Sequence, residues 1–245
     1  MQVAEHGDLQ DYLYKNFDNM KWHDDKLLIL SNIANGLRII HENGFNHRNI
    51  HCRNILIGNN GMTYITDFGS SSNNKDSITQ KICGSVPFIA PEALTENHFT
   101  PKSDIYSFGF IMWMISSGVI PYHYRKYDED LKQSILLKGM RPPILKGTPS
   151  CFVKLMEQCW DIDPEKRPTS SKIYEIICSW YYFKDYKDFK ECEITSLSQN
   201  IQDITQEIEL VIKRNTAPKP PPSSKVVEHS SGKDSSYTTI GQIQT

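Results

Sequence analysis

The sequence predicts a mainly α-helical α+β domain with one small β-hairpin, followed by a tail of different character. Three observations point there. Asp104 to Ser116 is apolar nearly all round, as in a helix buried in mid-core rather than lying on a surface. Two short β-forming runs, Ile55-Leu56-Ile57 and Thr63-Tyr64-Ile65, flank Gly58-Asn59-Asn60-Gly61, a hairpin-like turn between small strands. Beyond about Lys184 the pattern changes, and residues 216–245 are rich in Pro, Ser, Thr and Lys with few large apolar groups.

Taken in order, residues 7–16 read as a short helix opened by Gly7-Asp8. Residues 24–43 read as a longer one. Asp24 and Asp25 suit its first turn, and Leu27, Leu30, Ile33, Ala34, Leu37 and His41 recur at helical spacing. Asn43-Gly44 ends it, because both residues tolerate the left-handed conformation that closes a helix. The hairpin follows, and then residues 69–87, a long polar loop of the kind that is usually functional inside a compact domain. After the apolar helix, residues 128–138, 150–160 and 169–181 read as further helices separated by Pro-containing turns. In the tail, Ile194, Leu197, Ile201, Ile204, Ile208 and Val211 alternate by three and four. Two arrangements fit that stripe: a helix lying on the preceding domain, which is favoured, or a short coiled coil through which chains self-associate. The expected division is a domain over 1–183, an amphipathic helix within 184–215 and a disordered segment over 216–245.

Composition excludes several classes. A formal net charge of −2 over 245 residues gives no electrostatic reason to expect nucleic acid or an anionic membrane as partner. The longest apolar stretch, Ile105 to Ile115, falls far short of the ~20 residues that span a bilayer. The start of the chain has neither the basic flank nor the apolar core of a signal peptide. The six cysteines form no close CxxC pair and keep no metal-ligand rhythm with histidine. They read as reduced, mostly packed thiols of a cytosolic or nuclear protein, with the cytoplasm as the expected location.

Five short motifs then occur in order. His47-Arg48-Asn49 is followed by Asn54, and Asp67-Phe68-Gly69 comes thirteen residues after that. Ala90-Pro91-Glu92 closes the polar loop, Ser103-Asp104 opens the apolar helix, and Cys159-Trp160 precedes Pro164-Glu165-Lys166-Arg167-Pro168. Singly each is weak. Together, in this order and at these distances, they resemble the catalytic loop, magnesium-binding triplet, activation-segment end, central helix and last turn of a protein kinase domain. The resemblance covers the mainly helical C-lobe of the protein-kinase-like α+β fold, from the hinge onward.

That resemblance carries expectations about chemistry. In such kinases the loop asparagine and the triplet aspartate hold magnesium on the phosphates of ATP, so Asn54 and Asp67 are the implied metal ligands. Hard oxygen donors of this kind suit magnesium. Gln2 and Ala4 align with the hinge that binds adenine through its backbone, and Leu56 with the floor of the ATP pocket. Glu92 and Arg167 are implied to form a buried ion pair tying the activation segment to the end of the lobe. Asp104 is expected to accept hydrogen bonds from the catalytic-loop backbone, and His47 to pack beneath Phe68 beside Gly69. Gly84-Ser85-Val86-Pro87-Phe88-Ile89 resembles the serine/threonine type, while His51 and Arg53 depart from it. The mixture suits the tyrosine-kinase-like branch of serine/threonine kinases.

Two departures limit the expected activity. Asn49 stands where the family has an aspartate that accepts the substrate hydroxyl's proton; an amide keeps the shape without useful basicity. No GxGxxG occurs in the sequence, and Met1 aligns with the back of the ATP pocket. The expectation is therefore a piece of a longer kinase, impaired or inactive as it stands, with doubtful ATP and Mg2+ binding of its own. The rival expectation is a pseudokinase lobe that docks a protein partner or substrate.

Overall fold

The computed structural model describes residues 4–70, 72–73, 86–182 and 189. Apart from Phe189, the helix expected within 184–215 and the disorder expected over 216–245 lie outside these residues, as do Gln2 and most of the polar loop.

Helix α1, Leu9–Asn16, starts where the Asp8 carboxylate accepts the Asp11 amide at 2.9 Å, and it buries Leu9 and Leu13. Helix α2, Leu27–Glu42, presents the apolar stripe read from the sequence, with Leu27, Leu30, Ile33, Ala34 and Leu37 all buried. Its approach differs from the expectation. Residues Trp22–Lys26 wind as a π-helical turn rather than as the first α-helical turn. The wider turn, held by the Lys26 amide on the Lys21 carbonyl, brings Trp22 and Lys26 inward together. The Lys26 ammonium then lies 4.1 Å from the Phe17 ring centroid and 4.8 Å from that of Trp22.

Strands β1 (Phe45–Asn46), β2 (Ile55–Ile57), β3 (Thr63–Ile65) and β4 (Ser72–Asn73) make two small antiparallel ladders. In the expected hairpin, Ile55 opposes Ile65 and Ile57 opposes Thr63, so Ile55 and Ile57 point into the core. The other ladder, Phe45 to Asn73 and Asn46 to Ser72, joins the segments on either side of the hairpin and was not expected. Two residues carry no readable period.

Helix α3, Pro91–Glu96, also went unread, although Pro91 at its first position favours a helix start. Helix α4, Pro101–Ser117, is the axis of the domain. Thr100 and Ser103 close a capping box at its start, and every residue from Ser103 to Ser117 is buried. It accepts α6, Ser150–Cys159, at close range because Gly109 has no side chain: a Cβ there would lie 3.1 Å from the Trp160 backbone nitrogen. Helix α5, Glu129–Lys138, follows an Asp128 cap, and α7, Ser170–Tyr182, packs on α2 and buries Ile173 and Ile177. Phe189 is fully buried beyond α7, with its ring 5.6 Å from Trp22 and 5.4 Å from Trp180. Among the described residues Cys52 and Cys159 are buried, and Cys151 and Cys178 are partly buried.

Candidate active site

One buried carboxylate organises the loop between β1 and β2. Asp104, in the first turn of α4, accepts the His47 amide on Oδ2 and the Arg48 amide on Oδ1, each at 2.8 Å. His41, on the inner face of α2, donates from Nε2 to the same Oδ2 at 2.9 Å. Two successive amides can reach one carboxylate because Arg48 adopts a left-handed φ of 70°. That conformation is uncommon for a residue with a side chain, and three hydrogen bonds to Asp104 hold it here.

His47 continues the chain of bonds. Its Nδ1 accepts the Asn49 amide at 3.3 Å, so Nε2 carries the proton and donates to the Thr66 carbonyl at 2.9 Å. Burial pushes its pKa below the usual histidine value, against the pull of Asp104, and the ring stays neutral. Its ring lies 5.0 Å from that of Phe68, which is half exposed. His47 thereby couples the loop to the residue before Asp67, whose own φ is +64°.

The side chains that converge are Asn49, Asn54 and Asp67. Asn54 donates from Nδ2 to the Asn49 carbonyl at 2.9 Å and to Asp67 Oδ2 at 3.3 Å. Asn49 donates from its own Nδ2 to that same Asp67 Oδ2 at 3.0 Å. The amide orientation follows from chemistry, since turning Asn49 over would set its oxygen against a carboxylate. Asn49 Oδ1 is left buried with no partner among the described residues, as is Arg48 Nε. A narrow cleft beside them is lined by Arg48, Asn49, His51, Phe88 and Phe99. Burial also lowers the His51 pKa, and raises that of the neighbouring Cys52 thiol to about 11, which makes it unreactive.

Near the start of the described chain, the Ala4 carbonyl accepts the Gly7 amide at 3.1 Å, and Asp8 forms a bridge with Leu56. The Ile57 amide donates to the Gly7 carbonyl at 2.9 Å. The structure so brings the Ala4 segment to the strand carrying Leu56. Gly69 follows Phe68 in a short 3₁₀ turn.

A second cluster lies below. Arg167, fully buried, meets Glu92 through Nη1–Oε1 at 2.6 Å and Nη2–Oε2 at 2.9 Å. Its remaining donors go to the carbonyls of Asp161, Lys102 and Ile162. Ser103 donates to Glu92 Oε1 at 3.0 Å and Ser107 to the Phe88 carbonyl at 2.6 Å. Sequence reasoning assigned no role to either serine or to His41. His41 was visible only as a member of a helical stripe, and a serine before or after an aspartate is no signal by itself.

A family model described as protein tyrosine and serine/threonine kinase matches residues 1–177. The chain belongs to that family, in its tyrosine-kinase-like serine/threonine type. It is 33% identical over 172 residues to a Dictyostelium discoideum protein described as "Probable serine/threonine-protein kinase", covering 70% of this chain and 19% of that one. It is 27% identical over 215 residues to a "Protein kinase and PP2C-like domain-containing protein" of Arabidopsis thaliana, covering 74% of this chain and 33% of the other. A "Serine/threonine-protein kinase STY17" of the same plant is 26% identical over 172 residues, covering 70% and 30%. The chain thus spans a third or less of the length of these relatives. Among the described residues no helix is long and apolar enough to cross a membrane.

The family uses ATP with magnesium. Asp67 and Asn54 fit the ion: one offers a carboxylate, and the other commits its NH2 to Asn49 and Asp67, which leaves its carbonyl oxygen as a hard donor. No cluster of three or more His, Cys, Asp or Glu able to hold a metal exists among the described residues. An ion here would have to share its shell with phosphate and water.

Proposed function

We propose that this chain is the magnesium-facing and substrate-facing lobe of a serine/threonine protein kinase, catalytically impaired by Asn49. The observation that carries the reading is the Asn49 side chain itself. It stands 3.0 Å from Asp67, and its Oδ1 is buried beside the Phe88 cleft with no donor among the described residues. That oxygen can accept a hydrogen bond from a serine or threonine hydroxyl and orient it. It cannot remove the proton, because a neutral amide has no useful basicity. Magnesium, when bound with ATP, supplies charge neutralisation on the phosphates. Asn54 and Asp67 supply the oxygens for it, and Asp104 with His47 fix the loop on which Asn49 and Asn54 stand. The glycine-rich loop and strand lysine with which the family grips phosphates are not among these 245 residues.

Radiolabel transfer from ATP to a generic basic protein tests the reading. The 245-residue chain is expected to transfer none, and Asn49→Asp alone is expected not to restore it. Turnover by the chain that Asp67→Ala abolishes would contradict the proposal. A scaffold role is the second reading. It is favoured by the bond from Asn49 to Asp67, which orders the site with protein groups alone.

A further inference from the structure

His41 and Ser170 are buried polar residues far apart in sequence that meet behind the catalytic loop. Asp104 is a carboxylate and already accepts the amides of His47 and Arg48, so the nitrogen facing it at 2.9 Å, His41 Nε2, carries the ring proton. The other nitrogen, Nδ1, is then an acceptor, and the Ser170 hydroxyl donates to it at 3.0 Å. The side chains of His41 and Asp104 are 8% and 2% exposed, and Ser170 is buried, so little water competes for these bonds. A histidine ring turns about its last torsion with broad freedom, and a half-turn exchanges its nitrogens for carbons. The bond from Ser170 fixes the edge of the ring that Asp104 does not hold.

We propose that Ser170 and His41 are positioning residues for the catalytic loop. Ser170 sets the His41 ring, His41 sets the Asp104 carboxylate, and Asp104 holds the left-handed turn at Arg48 beside which Asn49 stands. The inference rests on reading residues 47–54 as the catalytic loop. The restraint originates in one short segment. Thr169 caps α7 by accepting the Lys172 amide at 3.2 Å, which places Ser170 in the first turn. Arg167, just before it, holds Glu92. The start of α7 thus reaches the catalytic loop through Ser170 and the Ala90-Pro91-Glu92 motif through Arg167, and keeps the two in register. A separate tie between α7 and α2, Ser171 Oγ to Glu42 Oε1 at 3.3 Å, bypasses His41 and Asp104.

The experiment is amide hydrogen exchange, read by NMR on the 245-residue chain and its Ser170→Ala, Ser170→Thr and Ser171→Ala variants. Exchange at His47 and Arg48 is compared with that of Phe110 in mid-α4. Ser170→Ala is expected to speed it by about tenfold relative to Phe110, the scale of one lost hydrogen bond. Ser170→Thr keeps the hydroxyl, and a cleft of about 190 Å³ that Ser170 lines with Pro101 and Ile105 has room for the added methyl. That variant is expected to keep the wild-type ratio, as is Ser171→Ala. A ratio unmoved by Ser170→Ala, or moved as far by Ser171→Ala, overturns the proposal. So does a Ser170→Thr protein that behaves like Ser170→Ala. If Ser170→Ala does not fold, the ring nitrogen resonances of His41 in the wild type decide. They should show Nε2 protonated and Nδ1 bare; the reverse tautomer, or a ring protonated on both nitrogens, overturns the proposal. None of these measurements uses ATP, so phosphate transfer by the chain would contradict the proposed function and leave this result standing.

Discussion

His47 shows how much one neutral ring can hold. It bridges Asn49 and Thr66 only in the tautomer with its proton on Nε2, and protonating Nδ1 would expel the Asn49 amide. Its folded pKa is below the ordinary 6.5 because burial disfavours the cation. The unfolded chain therefore binds a proton that the folded chain refuses, and stability falls as pH drops below about 6.5 until the folded pKa is reached. His51, also lowered by burial, acts with the same sign. Denaturant midpoints measured between pH 7.5 and 5 should decline, and His47→Gln should flatten the slope. A slope unchanged by that substitution would remove His47 from the account. At this scale the sequence was informative about chemistry and silent about geometry. Asn54 and Asp67 could be picked out because their motifs resemble the kinase catalytic loop and magnesium-binding triplet, and Asn49 as the departure from that loop. The left-handed φ of Arg48 and Asp67 could not, because arginine does not favour it and an aspartate, which tolerates it, adopts it only where its surroundings require.

Among the elements, α4 was the most legible, since only a mid-core helix stays apolar on every side. The π-helical turn before α2 was not, because a lysine at position 26 carries no apolar signal and the winding is decided by what packs against the turn. Part of that packing comes from far along the chain. Phe189, outside the 177 residues matched by the family model, is fully buried against Trp22 and Trp180, and Phe152 meets Trp22 edge-on at 4.9 Å. No periodicity marks this single phenylalanine beyond α7 as core. Phe189→Ala should cost about 3–5 kcal/mol in urea unfolding, the usual range for emptying an aromatic core site. A loss under about 1 kcal/mol would mean that this ring is peripheral to the fold.

For the whole molecule, the first turns of α4 gather the functional segments onto one scaffold. Asp104 holds the catalytic loop, Ser107 the Phe88 carbonyl, Ser103 the Glu92 carboxylate, and Lys102 donates to the Arg167 carbonyl. Glu92 and Arg167 close the arrangement from the other side. Arg167→Ala strands a largely buried carboxylate, and breaking such a pair is expected to cost about 3–5 kcal/mol, visible as a lower melting temperature. An unchanged melting temperature would take the ion pair out of the argument. The central claim concerns catalysis at position 49. General-base assistance is worth about 10² to 10⁴ in rate, whereas much of phosphoryl transfer is positioning and charge neutralisation. The direct measurement joins residues 1–245 to the ATP-gripping lobe of a serine/threonine kinase relative and compares radiolabel transfer with Asn49 and with Asn49→Asp. The account predicts a rate at least tenfold higher for Asn49→Asp; equal rates would contradict it.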